Sequence, residues 1–327
     1  MKTKARNIRE TIFLVGFFLF LMPTFSFSQE FPTKPINLLI AMAPAGPLDT
    51  PTRLLAGKAE PFLGQPFLVS NNAGGAGSVA LGILAKEKPD GYHLVGSYST
   101  PLIRIPQFRP VPYKLEDFVP IMIYGTPESG LVVRADSPWK TLKEFVEYAK
   151  KNPGKVTYSI TGTGSPLHLA MEYIAKQEGI RWTMVPFTGS NPTIPLLGGH
   201  VTASSTGTQF IPYVKAGSLR LLATHGERRM KTFPDVPTLR ELGYDFINES
   251  VLMFAAPRGT PVNIVKKLDE AFHKAMDNPE FIDLMEKLEI TIAYRNHEDT
   301  KKYLEEAYRR IGKMIIDFKL PRETEKK

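Results

Sequence analysis

Cysteine is absent from all 327 residues. Disulfides are therefore excluded, and a chain of this length buries enough surface to fold without them. Histidine is sparse: the six residues, at 93, 168, 200, 225, 273 and 297, show no HxxxH or HExxH spacing. With no thiolate to help, no metal site is expected. Neither a G-x-S-x-G elbow nor a G-x-x-x-x-G-K-[ST] loop occurs, so hydrolase and nucleoside-triphosphatase readings lose their usual handle. A concentrated basic stripe is also missing, which argues against a nucleic-acid partner. No apolar run reaches the roughly 20 residues that span a bilayer.

What is present begins with an export signal. Lys2, Lys4, Arg6 and Arg9 precede the apolar run from Ile12 to Met22, and Ser26-Phe-Ser28 places small residues two apart. This predicts a cleavable signal peptide over 1–28 and a periplasmic mature chain; an uncleaved anchor is the alternative. Cleavage removes four basic residues and one acidic, a net loss of three from +8, leaving +5. The remainder, 43% apolar and 23% charged overall, has the composition of a globular protein.

The stretch Val156 to His168 is the most informative. A β-branched and aromatic run from Val156 to Ile160 breaks at Gly162 and Gly164, and Ser165-Pro166 then forms an N-cap and N1 pair. Leu167, Ala170, Met171 and Ile174 recur at helical spacing. At such a strand-loop-helix junction the first helical N–H groups lack internal partners and the dipole favours an anion. An ordinary capped turn is the alternative. A second junction of the same kind follows Ile36–Ala41, where Pro44-Ala-Gly-Pro-Leu-Asp49 leads into Arg53, Leu54 and Leu55.

Strands and helices alternate along the rest of the chain, predicting α/β architecture with parallel sheets covered by helices. Thr141-Leu-Lys-Glu144 reads as a capping box, and a final helix over about 300–318 turns Leu304, Ala307, Ile311 and Ile315 inward. Crossings near 123–131 and 246–256 predict one domain from 29–125 plus 251–327, and another from 126–250. Two lobes joined by two crossings close like a hinge.

Several strand ends carry small hydroxyl residues, and parallel α/β sheets bind ligands outside those ends. The candidate ligand residues are Ala45, Gly46, Pro47, Leu48 and Asp49 in the first junction, and Tyr98, Ser99 and Thr100 after a third strand. Thr161, Gly162, Thr163, Gly164, Ser165 and His168 form the second junction, joined by Thr188, Gly189, Ser190, Ser205 and Thr206. Asp49 and Arg53 have ion-pair spacing; Asp49 alternatively shapes the loop or touches a ligand. His168 is either a core-edge histidine or a ligand contact. Gly75-Ala-Gly77-Ser-Val-Ala80 fits a dinucleotide fingerprint, but no acidic residue ends the next strand, and glycines that permit tight packing are the better reading.

Together these residues resemble the Bug family, the periplasmic substrate-binding proteins of tripartite tricarboxylate transporters. Further marks are Phe31-Pro-Thr-Lys-Pro-Ile36, Asn72 to Gly77, Pro89-Asp-Gly-Tyr92, His168-Leu-Ala170 and Phe187-Thr-Gly189. Leu196-Leu-Gly-Gly199, Lys215-Ala-Gly217, Pro234-Asp-Val-Pro-Thr238, Glu241-Leu-Gly243 and Ala256-Pro-Arg-Gly-Thr-Pro261 follow. The resemblance spans the mature chain and implies a type II periplasmic binding protein fold of two doubly wound lobes. It implies a monomer that captures a small organic carboxylate, without cofactor or catalysis, and presents it to a membrane permease. A ligand-sensing partner of a membrane sensor kinase and an exported enzyme are the alternatives. The chain departs from the family pattern where Ala45-Gly46 replaces a double glycine, where Pro47 removes an N–H donor, and where Gly74-Gly-Ala-Gly77 reorders a glycine motif.

Overall fold

A computed structural model describes residues 30–320 except 161, 163, 188–190 and 248–249; the expected signal peptide lies outside them. The first run of elements is β1 (Ile36–Ile40), α1 (Asp49–Leu63), β2 (Phe67–Asn71), α2 (Ser78–Leu84), β3 (His93–Tyr98), α3 (Thr100–Ile103), α4 (Ile105–Phe108) and β4 (Phe118–Pro127). The second is β5 (Gly130–Arg134), α5 (Leu142–Lys151), β6 (Thr157–Ile160), α6 (Pro166–Glu178), β7 (Thr183–Pro186), α7 (Thr193–Leu197), β8 (Ala203–Thr206), α8 (Ile211–Lys215) and β9 (Leu219–Thr224). The chain returns through β10 (Leu252–Pro257), α9 (Val262–Ala275), α10 (Pro279–Lys287), β11 (Ile290–Arg295) and α11 (His297–Asp317).

These strands form two sheets, ordered β11-β4-β10-β3-β1-β2 and β7-β6-β8-β5-β9. The expectation of parallel sheets needs correction, because both are mixed. β1 runs parallel to β2 and β3, and β6 parallel to β7 and β8. β10 is antiparallel to β3 and β4, and β5 is antiparallel to β8 and β9. The crossings explain this: only Glu128 and Ser129 separate β4 from β5, so the chain passes from one sheet to the other without a covering helix. A helical crossover is what parallel neighbours require.

Buried apolar residues from both sheets join one cluster that includes Val95, Ile123, Leu131, Tyr158, Met171 and Ile311. Leu304, Ala307, Ile311 and Ile315 of α11 are buried as their spacing predicts. The helix starts three residues before the expected Thr300, because Asn296 caps it by accepting from Asp299 N at 3.0 Å. Thr141 caps α5 as expected, accepting from Glu144 N at 3.2 Å, but the Glu144 carboxylate takes the N–H of Lys140, not that of Thr141. β11 is a strand that sequence reading missed; its half-buried alternation suits an edge paired on one side with β4.

Candidate functional site

The first junction leaves β1 with residues 43–45 and 47 exposed to solvent. Ala45 sits at φ +60°, a left-handed conformation that opposes an alanine Cβ. Its N–H donates to Asp49 Oδ2 at 2.8 Å. The other carboxylate oxygen accepts from the Arg53 guanidinium at 2.9 Å and from Asn71 Nδ2 at 2.7 Å. Asp49 is only 4% exposed. Burial alone would raise its pKa, but the bonds from Asn71, Arg53 and Ala45 prevail and hold it below the usual carboxylate value.

The second junction repeats this construction. Gly164, at φ +72°, donates its N–H to His168 Nδ1 at 3.0 Å. Because Nδ1 accepts, the neutral ring carries its proton on Nε2, which lies 3.6 Å from Glu172 Oε1. That oxygen also accepts from the Tyr158 hydroxyl at 2.9 Å. Burial pushes the Glu172 pKa up, while His168 and Tyr158 pull it below normal. Ser165 caps α6 as its sequence predicts, its hydroxyl oxygen accepting from His168 N at 3.1 Å, and its own N–H donates to Gly162 O at 3.2 Å.

In each loop, then, a residue with positive φ donates its N–H to the side chain four positions on, in the first turn of the following helix. A third side chain, again four positions on, braces the clamp: Arg53 behind Asp49, Glu172 behind His168. Both clamping residues lie behind their loops, where they fix backbone shape and consume one loop N–H each.

The remaining candidates divide by burial. Gly46 O accepts from Thr50 N and Oγ1, each at 3.1 Å; Pro47 is exposed and Leu48 is 1% exposed. Tyr98 is half-buried, and desolvation pushes its hydroxyl up to about 12. The Ser99 hydroxyl oxygen accepts from Val251 N at 3.0 Å inside the fold. Ser205 donates to Leu167 O at 2.9 Å and Thr206 to Gln209 Oε1 at 3.1 Å, both fully buried. These three hydroxyls therefore support the scaffold beneath the loops. Thr161, Thr163, Thr188, Gly189 and Ser190 fall outside the described residues.

Thr100 bonds Ser250 Oγ at 3.2 Å and, with Arg104, Pro166, Leu169 and Phe246, lines a seam between elements of the two sheets. Its free volume of about 20 Å³ holds one water molecule. Cavities of about 410 and 330 Å³ surround His297 and Glu128, and neither is lined by the two loops. Among the described residues no group of three or more His, Asp or Glu is gathered around a metal position, and no helix is long and apolar enough to cross a membrane.

The glycine-rich segment after β2 makes a left-handed turn through Gly75, Ala76 and Gly77, at φ 59°, 55° and 94°. A Cβ on Gly77 would fall 2.9 Å from Pro101 and 3.2 Å from Ala41 O, so glycine permits close packing against the exits of β1 and β3. These contacts are with elements of the first sheet, not with a neighbouring domain. Arg109 closes the turn by donating to Gly75 O at 2.8 Å.

Sequence reading missed Asn71, Tyr158 and Glu172 as clamp partners. Glu172 had a signal in its spacing from His168. It also missed His225, fully buried after β9 with neither ring nitrogen hydrogen-bonded. Burial holds that imidazole neutral, its pKa lowered to about 3.

The tripartite tricarboxylate transporter family receptor profile (TctC) matches residues 52–320. The chain is 38% identical over 298 residues to the UPF0065 protein in gbd 5'region of Cupriavidus necator, covering 90% of each chain. It is 30% identical over 294 residues to protein BugT of Bordetella pertussis, covering 88% of this chain and 90% of that one. Among solved structures, a ligand-free TctC solute binding protein from Polaromonas aligns at TM-score 0.82 and 28% identity, over 88% of this chain and 99% of that one. MatC from Rhodopseudomonas palustris with bound malate aligns at TM-score 0.66 and 26% identity, over 87% and 100%. With its two mixed sheets and paired loops, this chain belongs to the TctC family of tripartite tricarboxylate transporter receptors.

Proposed function

We propose that this chain is a periplasmic receptor that captures a small organic carboxylate between two lobes and delivers it to a tripartite tricarboxylate-type permease. The matched clamps carry this reading. They hold two helix-opening loops at the ends of parallel strands β1 and β6, where backbone N–H groups and helix dipoles favour an anion. The malate bound to MatC supports a carboxylate.

Residues 1–28 act as the signal peptide. Residues 29–125 and 251–327 form one lobe and 126–250 the other, hinged at Glu128-Ser129 and at the return before β10. The receptor works as a monomer, without cofactor or chemistry, and closes on its ligand. Thermal melting of ligand-stripped protein against a carboxylate library tests this, since a ligand of the native state raises stability by mass action. A rise in Tm with at least one organic acid is expected. A flat response to aliphatic, hydroxylated and aromatic acids alike contradicts it.

A further inference from the structure

We infer that Phe108 forms an apolar wall of the carboxylate site and selects aromatic monocarboxylates over di- and tricarboxylates, an inference that rests on the receptor reading above. The ring reaches the second loop: a Cβ built on Gly164 would fall 3.1 Å from both Cε1 and Cζ of Phe108. Gly164 is itself fixed by His168, so the ring lies against a rigid part of the loop. Phe108 packs partly against the core and remains half-exposed, which leaves ring surface for a ligand.

Its neighbours hold it in place. Gln107 Nε2 donates to Ile103 O at 2.6 Å and to Tyr308 O at 3.0 Å, and Arg109 donates to Gly75 O at 2.8 Å. The ring is therefore positioned before any ligand arrives, which lowers the ordering cost of binding.

Charge narrows the class further. Arg53 is committed to Asp49 and Asn71, Arg109 to the Gly75 carbonyl, and Arg104 and Arg310 each have partners. The loop residues at 161–165 and 188–190 add threonine, serine and glycine, with no cationic side chain. Such donors suit one carboxylate, whereas a second or third would be desolvated without a counter-charge. The body of the ligand meets Phe108, and an aromatic body stacks on it with offset geometry.

Isothermal titration with benzoate, acetate, succinate and citrate tests the inference on the purified protein. Benzoate should bind about tenfold or more tighter than succinate or citrate, a difference within the range of one aromatic contact plus its buried area. Phe108→Ala should weaken benzoate about tenfold and leave acetate within about twofold. Should that variant unfold, Phe108→Leu keeps the bulk, removes the stacking face and should still weaken benzoate measurably. Succinate or citrate binding tightest, or benzoate binding unchanged in a folded Phe108 variant, overturns the inference and leaves the receptor reading intact. Binding of none of the four, with no response in the wider library, overturns both.

Discussion

The loop after β1 and the loop after β6 solve one problem with opposite chemistry. Each holds a positive-φ residue by its N–H, but the first uses an ionised carboxylate braced by a cation, and the second uses a neutral imidazole braced by a carboxylate. Backbone geometry, not charge, is what the two share. A charged clamp is tied to solvent through Arg53, whose side chain is 44% exposed, while the His168 clamp is closed inside the fold with a side chain only 7% exposed. The difference teaches that a loop suited to anions can be shaped by either sign, provided the shaping group is buried and its charge is compensated.

Removing a clamp should have the largest effect. Asp49→Ala strips the Ala45 N–H, Arg53 and Asn71 of an acceptor at once and is expected to cost about 3 kcal/mol in urea unfolding. His168→Ala frees one N–H and leaves a small cavity, with an expected cost of about 2 kcal/mol. Equal costs would show that the carboxylate and the imidazole clamp with the same strength.

A pH titration sharpens the contrast between a partnered and an unpartnered histidine. The folded pKa of His225 is about 3 against an ordinary 6.5, so the unfolded chain takes up the proton first as the pH falls. Stability is fully present above pH 6.5 and declines by about 1.4 kcal/mol per unit below it, until about pH 3. Unfolding measured from pH 7 to 5 should show this slope in the wild type and lose it in His225→Phe.

Exchanging the residue types at the two left-handed positions gives the smallest effects. Gly164→Ala puts a Cβ at positive φ against the Phe108 ring and should cost about 1–2 kcal/mol. Ala45→Gly relieves the same strain with no ring nearby but loosens the unfolded chain, so the net change should stay within about 0.5 kcal/mol.

Much of this arrangement is legible in the sequence because it is local. Ser165-Pro166 announces the start of α6, and the spacing of Asp49 and Arg53 announces their pairing. The clamps are not legible: a side chain reaching a backbone N–H four residues earlier requires the left-handed residue between strand and helix. At position 45 an alanine conceals that conformation. β11 and the antiparallel neighbours escaped because pairing partners lie far apart in the chain, and Phe108 because its contact with Gly164 joins two segments that nothing in the local pattern connects.

Amide hydrogen exchange at residues 41–50 and 162–170, with and without the carboxylate that most raises Tm, tests the shared site most directly. Slowed exchange in both segments on adding that acid is the predicted result. Protection of one segment alone, or of neither while the acid is bound, contradicts a site built from the two loops.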